Sequence, residues 1–389
     1  MIKGAFPTDK FREWQTPFYY YDIDLLQQTL DAVCSETFKY GYHCHYAIKA
    51  NANPRILRII AKSGLGADCV SGGEIQAAIA AGFPAGKIVF AGVGKADWEI
   101  NLGLDNDIAC FNVESLAELH VLNELAEAKG KTATIAFRIN PNVDAHTHAK
   151  ITTGMMENKF GINVSKLPEL FDELPLMQNI RFTGIHFHIG SQITDMSAFR
   201  DLCIQFNELQ DDLEAKGIML SHVNFGGGLG IDYYHPNHIP IPDIANYFAV
   251  FHKLVKQCSG QQIHFELGRA IVGQSGTMIS KVLYVKEGEV KKFAIVDAGF
   301  SDLIRPAMYD AYHRMENITC DGEVDVYDVV GPICESSDIF GKDVELNKVR
   351  RNDLIAFRSA GAYGEIMASQ YNCRPLPQAY YSDTIRFEK

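Results

Sequence analysis

Lys49 closes the run HCHYAIK (43–49), in which His43, His45, Ala47 and Lys49 share one parity. Residues of one parity in an extended strand point to one side, so the spacing places the lysine last on a strand, on the side of two imidazoles. A lysine near a barrel axis loses solvation, which favours the neutral amine needed for a Schiff base. The plain alternative is a strand-end lysine reaching into solvent. His-x-His pairs at 43/45, 146/148 and 186/188 put alternate imidazoles within reach of one metal ion. Such a site would need carboxylates and further histidines at later strand ends, where Glu266 is the one obvious acid. Stacked or core histidines are therefore the expected reading. Farther on, NFGGGLG (224–230) carries three successive glycines, which let a backbone approach an anion with its N–H groups exposed, although such a run is often only a tight loop. Glu266-Leu267-Gly268-Arg269 follows, with an acid whose ordinary role would be a salt bridge to Arg269.

These groups need elements to hold them. Short β-branched and aromatic runs occur at 43–49, 66–71, 87–92, 107–113, 134–140, 182–190, 222–228 and 263–269, with helical spacing between them, as in PRILRIIAKSG (54–64) and ESLAELHVLNELAEAKG (114–130). Eight strand–helix alternations predict an α/β fold, a (β/α)8 TIM-like barrel over about residues 30–280. Lys49 then ends the first strand, and the glycine run and Glu266–Arg269 end the seventh and eighth, on the face where barrels do their chemistry. From 281 to 389 the pattern becomes strand-like runs joined by Gly/Asp/Lys turns with no convincing helix, which predicts a second, β-rich domain. TPFYYYDIDLL (16–26) also reads as a strand. Its pairing with the C-terminal strands would make that domain discontinuous, residues 1–29 joining 281–389.

Composition narrows the function. The net charge of −12 and the absence of a basic cluster argue against nucleic acid, and no apolar stretch has the length of a membrane span. The N-terminal residues lack the apolar run of a secretory signal. Nine cysteines, odd in number and without a Cys-x-x-Cys pair, suit a reducing cytoplasm, most of them as small buried hydrophobes.

An amine nucleophile after strand one, an anion cradle after strands seven and eight, and an acid able to face a ring nitrogen together match what pyridoxal phosphate requires. At this point a family resemblance enters. YAIKANANP (46–54), HTHAKITTG (146–154), ENKFGI (157–162), GIHFHIGSQ (184–192), GGGLG (226–230), ELGR (266–269), GPICESSDIF (331–340) and GAYG (361–364) stand in this order and resemble the diaminopimelate decarboxylase family, pyridoxal phosphate decarboxylases of the alanine-racemase fold. The resemblance implies decarboxylation of meso-2,6-diaminopimelate to L-lysine and carbon dioxide, the last step of lysine biosynthesis. It implies that Lys49 holds the cofactor, His188 stacks on its ring, Glu266 pairs with its pyridine nitrogen, and Ser191, Gly227, Gly228, Gly268 and Arg269 grip its phosphate. Arg269, Arg305, Tyr309, Glu335 and Tyr363 match the family's substrate positions, Tyr363 also lying close to the cofactor. Cys334 matches the residue that returns a proton to Cα. The family forms homodimers with shared active sites, which Cys334 and Glu335 would enter from the other subunit.

The substrate's chemistry agrees with this assignment, since its non-reacting end needs cations for a carboxylate, Arg269 and Arg305, and an acid for an ammonium, Glu335. The plain alternative for Arg305 and Tyr309 is i,i+4 pairing on a surface helix. Two departures stand out: Leu267 replaces the family's usual proline, and Cys373 stands where serine is more common. Alternatives are a decarboxylase of ornithine, arginine or carboxynorspermidine, whose members usually lack the HIGSQ, KFGI and Cys-Glu-Ser combination, a non-enzymatic pyridoxal phosphate carrier, which typically lacks the β domain, and a metal-dependent barrel hydrolase.

Overall fold

The computed structural model describes residues 4–141 and 159–385; the motif at 146–154, with the pair His146/His148, lies outside the described residues. The chain forms two compact units, one of Leu30–Gly230 and Asp243–Gly268, the other of Met1–Thr29, Ile231–Pro242 and Arg269–Lys389.

The first unit is a closed parallel barrel. Its strands are β1 (His43–Ala47), β2 (Gly66–Cys69), β3 (Ile88–Phe90), β4 (Cys110–Val113), β5 (Ala133–Asn140), β6 (Ile180–His186), β7 (His222–Asn224) and β8 (Gln262–Leu267). Each overlaps one of the eight runs read from the sequence, three of them starting one or two residues earlier. Pairing proceeds in chain order, and β8 returns to β1 with His264 opposite His43 and Glu266 opposite His45. Strands covered on both faces need apolar side chains throughout, which is why β3 and β4 are buried at every residue. The helices start where local chemistry satisfies their first N–H groups: Asn53 accepts from Arg55 and Ile56 N–H, Ser71 from Glu74, and Ser115 from Glu118. The reciprocal contacts, Glu74 to Val70 N–H and Glu118 to Glu114 N–H, hold the strand-to-helix corners at the C-terminal ends of β2 and β4.

One expectation needs correction. Strand β1 stops at Ala47, and Lys49 lies in the 3-10 turn Ile48–Ala50. The parity argument therefore does not reach the lysine; the turn aims it, fixed by the Tyr46 hydroxyl donating to Asn51 C=O at 2.9 Å.

The second unit is built on a sheet ordered Met315–Asn317, Leu354–Phe357, Gly276–Glu287, Lys292–Val296, Val324–Val330 and Ile339–Asn347. Phe18–Tyr21 adds to it, antiparallel to Gly276–Glu287 and parallel to Gln378–Tyr381. The segment read as one strand over 16–26 is thus a four-residue strand followed by a helix from Ile23. Phe11, Phe18, Tyr20, Ile279, Leu354 and Ala356 form a core there, and Trp14 stacks on Tyr380 at 3.9 Å. Residue 281 falls inside a long strand, and the unit starts instead at Arg269 and takes in 231–242. It also holds a one-turn helix, Arg305–Tyr309, within a stretch read mainly as strands and turns. Among the described residues no helix is long and apolar enough to cross a membrane.

Candidate active site

In the barrel unit the charged side chains converge from the C-terminal ends of the strands. The register sets Asp68 opposite Ala47 and His186 between Arg138 and Asn224. The Lys49 ammonium lies 3.4 Å from the fully buried Asp68 carboxylate. Glu266, also buried, accepts from His186 Nε2 at 3.0 Å and from Asn224 Nδ2 at 2.7 Å. Burial raises the Glu266 pKa, and Lys49 is the largest opposing influence. Burial and then Glu266 raise that of Asp68. Burial, followed by the Arg138 charge, pushes His186 down to about 3, and burial, followed by Lys49, lowers His188. Both imidazoles are neutral at physiological pH. Arg138 is buried against Glu114 at 2.9 Å, and Glu114 also accepts from the N–H groups of Gly92 and Gly161.

The glycine run forms a cradle beside these groups. Gly227 N–H points at His188 Nδ1 at 3.4 Å, and a Cβ on Gly227 would come within 1.9 Å of Glu266 C=O. Gly226 and Gly228 have φ of +68° and +111°, values that favour glycine. Half-buried Ser191 lies in the loop after β6, which is tied to the cradle by Ile193 N–H donating to Gly228 C=O at 2.8 Å. Gly268 packs on Ala47 and Ala50.

The second unit gathers cations. Buried Arg269 donates to the Tyr233 hydroxyl and lies 4.9 Å from the Tyr363 ring, and Arg305 lies 4.9 Å from the Tyr233 ring. Arg305 is 6% exposed and donates to His313 Nε2 at 2.8 Å, while His313 Nδ1 donates to Arg358 C=O. Burial, with Arg269 close by, lowers the pKa of Arg305. Surface i,i+4 pairing is thereby ruled out for Arg305; half-buried Tyr309 ends the same helix. A buried guanidinium with an imidazole as its hydrogen-bond acceptor is furnished to receive an anion.

Cys334 and Glu335 sit at the exposed tip of the loop Gly331–Asp338. Buried Asp338 shapes that loop, accepting from Phe300 and Ile333 N–H at 2.7 Å each, and Glu335 accepts from the Tyr371 hydroxyl. Cys373 is likewise exposed.

Sequence reasoning missed Asp68, Asn224, Arg138, Tyr233 and His313 as parts of these clusters. Three left a signal, being polar residues in short runs read as barrel strands: GADC, HVN and TIAFRIN. Tyr233 and His313 left none, because only the tertiary fold brings them to the arginines.

The barrel residues fit pyridoxal phosphate. Side chains at Gly226–Gly228 would collide with the carbonyl oxygens of Phe187, Glu266 and Gly190, so the run presents bare backbone, and a buried carboxylate and an amine face the same barrel end. Comparison with known proteins agrees. Residues 28–273 match the family model of the pyridoxal-dependent decarboxylases, pyridoxal binding domain. The chain belongs to the pyridoxal-dependent decarboxylases. Within them it belongs to the diaminopimelate decarboxylase family. It is 64% identical to the diaminopimelate decarboxylase of Bacteroides thetaiotaomicron over 385 residues, 99% of this chain and 100% of that one. It is similar in structure to Helicobacter pylori diaminopimelate decarboxylase in complex with L-lysine, at 40% identity and a TM-score of 0.89, covering 96% of this chain and 93% of the other. The Methanocaldococcus jannaschii enzyme with L-lysine gives 37% identity and a TM-score of 0.89, covering 96% and 89%.

Proposed function

We propose that this chain decarboxylates meso-diaminopimelate to L-lysine and carbon dioxide, and that the residues assembled above divide that work. The observation that carries the reading is the buried Glu266 carboxylate, held from two sides at the barrel end where Lys49 presents its amine. Pyridoxal phosphate, when bound, draws off the electron pair left at Cα as carbon dioxide departs. Lys49 would supply the amine that holds the cofactor. Glu266 holds a proton at the pyridine nitrogen, neutral His188 offers an uncharged face to the ring, and the N–H groups of Gly227 and Gly228 with Ser191, Gly268 and Arg269 bind the phosphate. Arg305 and Arg269 bind the carboxylate at the far end of the substrate, Glu335 its ammonium, and Tyr309 and Tyr363 complete the wall. Cys334 gives its thiol proton to Cα, closing a C–H bond where the C–C bond broke, and recovers a proton from water.

Exposure of Cys334 and Glu335 at a loop tip supports their action in trans, in a homodimer. Nine free cysteines and a biosynthetic role suit a reducing cytoplasm.

Product analysis over a panel of amino acids tests the substrate. Lysine should form from the meso isomer. Ornithine, which lacks the far carboxylate, should be rejected by roughly 10⁴–10⁵ in kcat/KM, because buried cations would be left unpaired. Comparable turnover of ornithine would remove the reading.

A further inference from the structure

The first imidazole of the 186/188 pair, His186, has no role in the reaction as drawn above, yet it makes one of the best-placed contacts in the barrel. We infer that His186 and Asn224 are positioning residues that hold Glu266 as an ionised carboxylate at the cofactor's ring nitrogen, and so set the protonation state of that nitrogen. The inference deepens the reading of Glu266 given above and rests on it.

The hydrogen-bond directions are fixed from outside the pair. Asn224 Oδ1 accepts from Gly226 N–H at 2.9 Å, which orients the carboxamide so that Nδ2 can only donate, and it donates to Glu266 Oε1 at 2.7 Å. His186 Nε2 faces Oε2 at 3.0 Å, and its Nδ1 is buried without a hydrogen-bond partner. An imidazole protonated at Nδ1 would bury an unsatisfied donor and set a lone pair against the carboxylate. The tautomer with Nε2–H avoids both costs. Each oxygen of Glu266 therefore meets a donor. A protonated Glu266 would press its own O–H against one of them, so the pair selects the charged form.

The pair acts beside other groups that face Glu266. Lys49 favours the charge, with smaller help from His45 and Arg138, whereas burial and Asp68 oppose it. The surrounding thiols, Cys44 and Cys110, are pushed up to about 12 by burial, and burial also raises Tyr247, so all three stay neutral. Asn224 has a second consequence. Through its contact with Gly226, and through Glu266 N–H donating to Gly226 C=O at 2.8 Å, the glycine cradle and Glu266 are joined, so the groups proposed for the phosphate and for the ring nitrogen move as one.

The test uses His186→Leu, His186→Gln and Asn224→Ala, read first by the dissociation constant of pyridoxal phosphate from titration of the apoprotein. His186→Leu and Asn224→Ala should each weaken cofactor binding about tenfold or more, the weight of one hydrogen bond to a charged group. Their acidic limb of kcat against pH should rise by about one unit, because losing a donor to the charged form raises the Glu266 pKa. His186→Gln places an N–H the same number of bonds from Cβ and should restore both. In a Glu266→Gln background, His186→Leu should change cofactor affinity no further. Equal loss in the Leu and Gln variants, additive loss in the double variant, or an unmoved acidic limb would each overturn the inference. Should His186→Leu not fold, Asn224→Ala carries the same comparison. A wild-type protein that failed to bind pyridoxal phosphate would defeat the cofactor reading instead, and that is seen before any variant is made.

Discussion

The two ends of the barrel use the same residue type to opposite effect. At the C-terminal end, neutral His186 donates to a carboxylate, within a cluster where Lys49, Asp68, Arg138, Glu114 and Glu266 are paired. Toward the N-terminal end, His43, His45, His222 and His264 have mainly one another. His264 stacks on His43 at 4.6 Å and meets the tilted ring of His222 at 4.0 Å. His45 Nδ1 donates to Lys87 C=O, so its Nε2 accepts from His264 Nδ1 at 2.9 Å, and His264 Nε2 and His222 Nε2 are left without partners. All four line a cavity of about 740 Å3. Burial drives His45 and His222 down to about 4 and lowers His264 further. The difference shows that an imidazole's role follows from what it faces: a carboxylate makes His186 a hydrogen-bond donor to a charge, whereas other imidazoles make His264 a packing group. Among the described residues no cluster of three or more His, Cys, Asp or Glu is placed to hold a metal ion.

Substitutions at the C-terminal end should be the most damaging. Lys49→Ala should abolish turnover and the visible absorption of the lysine-bound cofactor. Borohydride fixation of the cofactor to another lysine would end that assignment. Whether this end works alone is answered by mixing Lys49→Ala with Cys334→Ala subunits, each inactive by itself. If the site is shared between subunits, random reassortment gives half heterodimers with one intact site of two, and activity should return to about a quarter of wild type. No recovery, with subunit exchange shown independently, would place both residues in one chain's site or deny Cys334 an essential part. A smaller loss is expected for Asp68→Asn. One charge-assisted hydrogen bond is worth about 1.5–3 kcal/mol, so kcat should fall by about ten- to a hundredfold in steady-state assays, with the cofactor still bound.

How much of this was legible beforehand depended on whether the signal was local. The eight strands were readable because parallel barrel strands must be apolar and short, and the helix caps because Asn53, Ser71 and Ser115 act within their own turns. The end of β1 was misread because parity continues through Ile48 and Lys49 while the backbone has already turned into a 3-10 conformation. The start of the second unit was misread because a twelve-residue strand, Gly276–Glu287, follows β8 with only a short helical turn between, which leaves no composition change to mark it. Glu266 was found as an acid beside glycine, but its partners His186 and Asn224 are brought to it by register between three strands, information that no single segment contains.

The histidine end supplies the test that should leave activity untouched. Folded His45 and His222 have pKa values of about 4, below the value near 6.5 expected in the unfolded chain. The unfolded state therefore binds protons first as pH falls, and these residues contribute stability above about pH 6.5 that is lost progressively down to about pH 4. Urea unfolding at pH 7.5 and pH 5 should show a lower midpoint at the acid value, to which other groups also contribute. His222→Phe isolates the local share. A phenyl ring keeps the ring contact with His264, removes a buried nitrogen that has no partner, cannot titrate, and has the adjoining cavity for its extra volume. At pH 7.5 its stability should lie within about 1 kcal/mol of wild type, at pH 5 the gap between the two conditions should narrow, and kcat and KM should be unchanged. A variant that lost turnover while keeping its fold and cofactor would show that the two barrel ends are coupled, and the contrast drawn between them would fail.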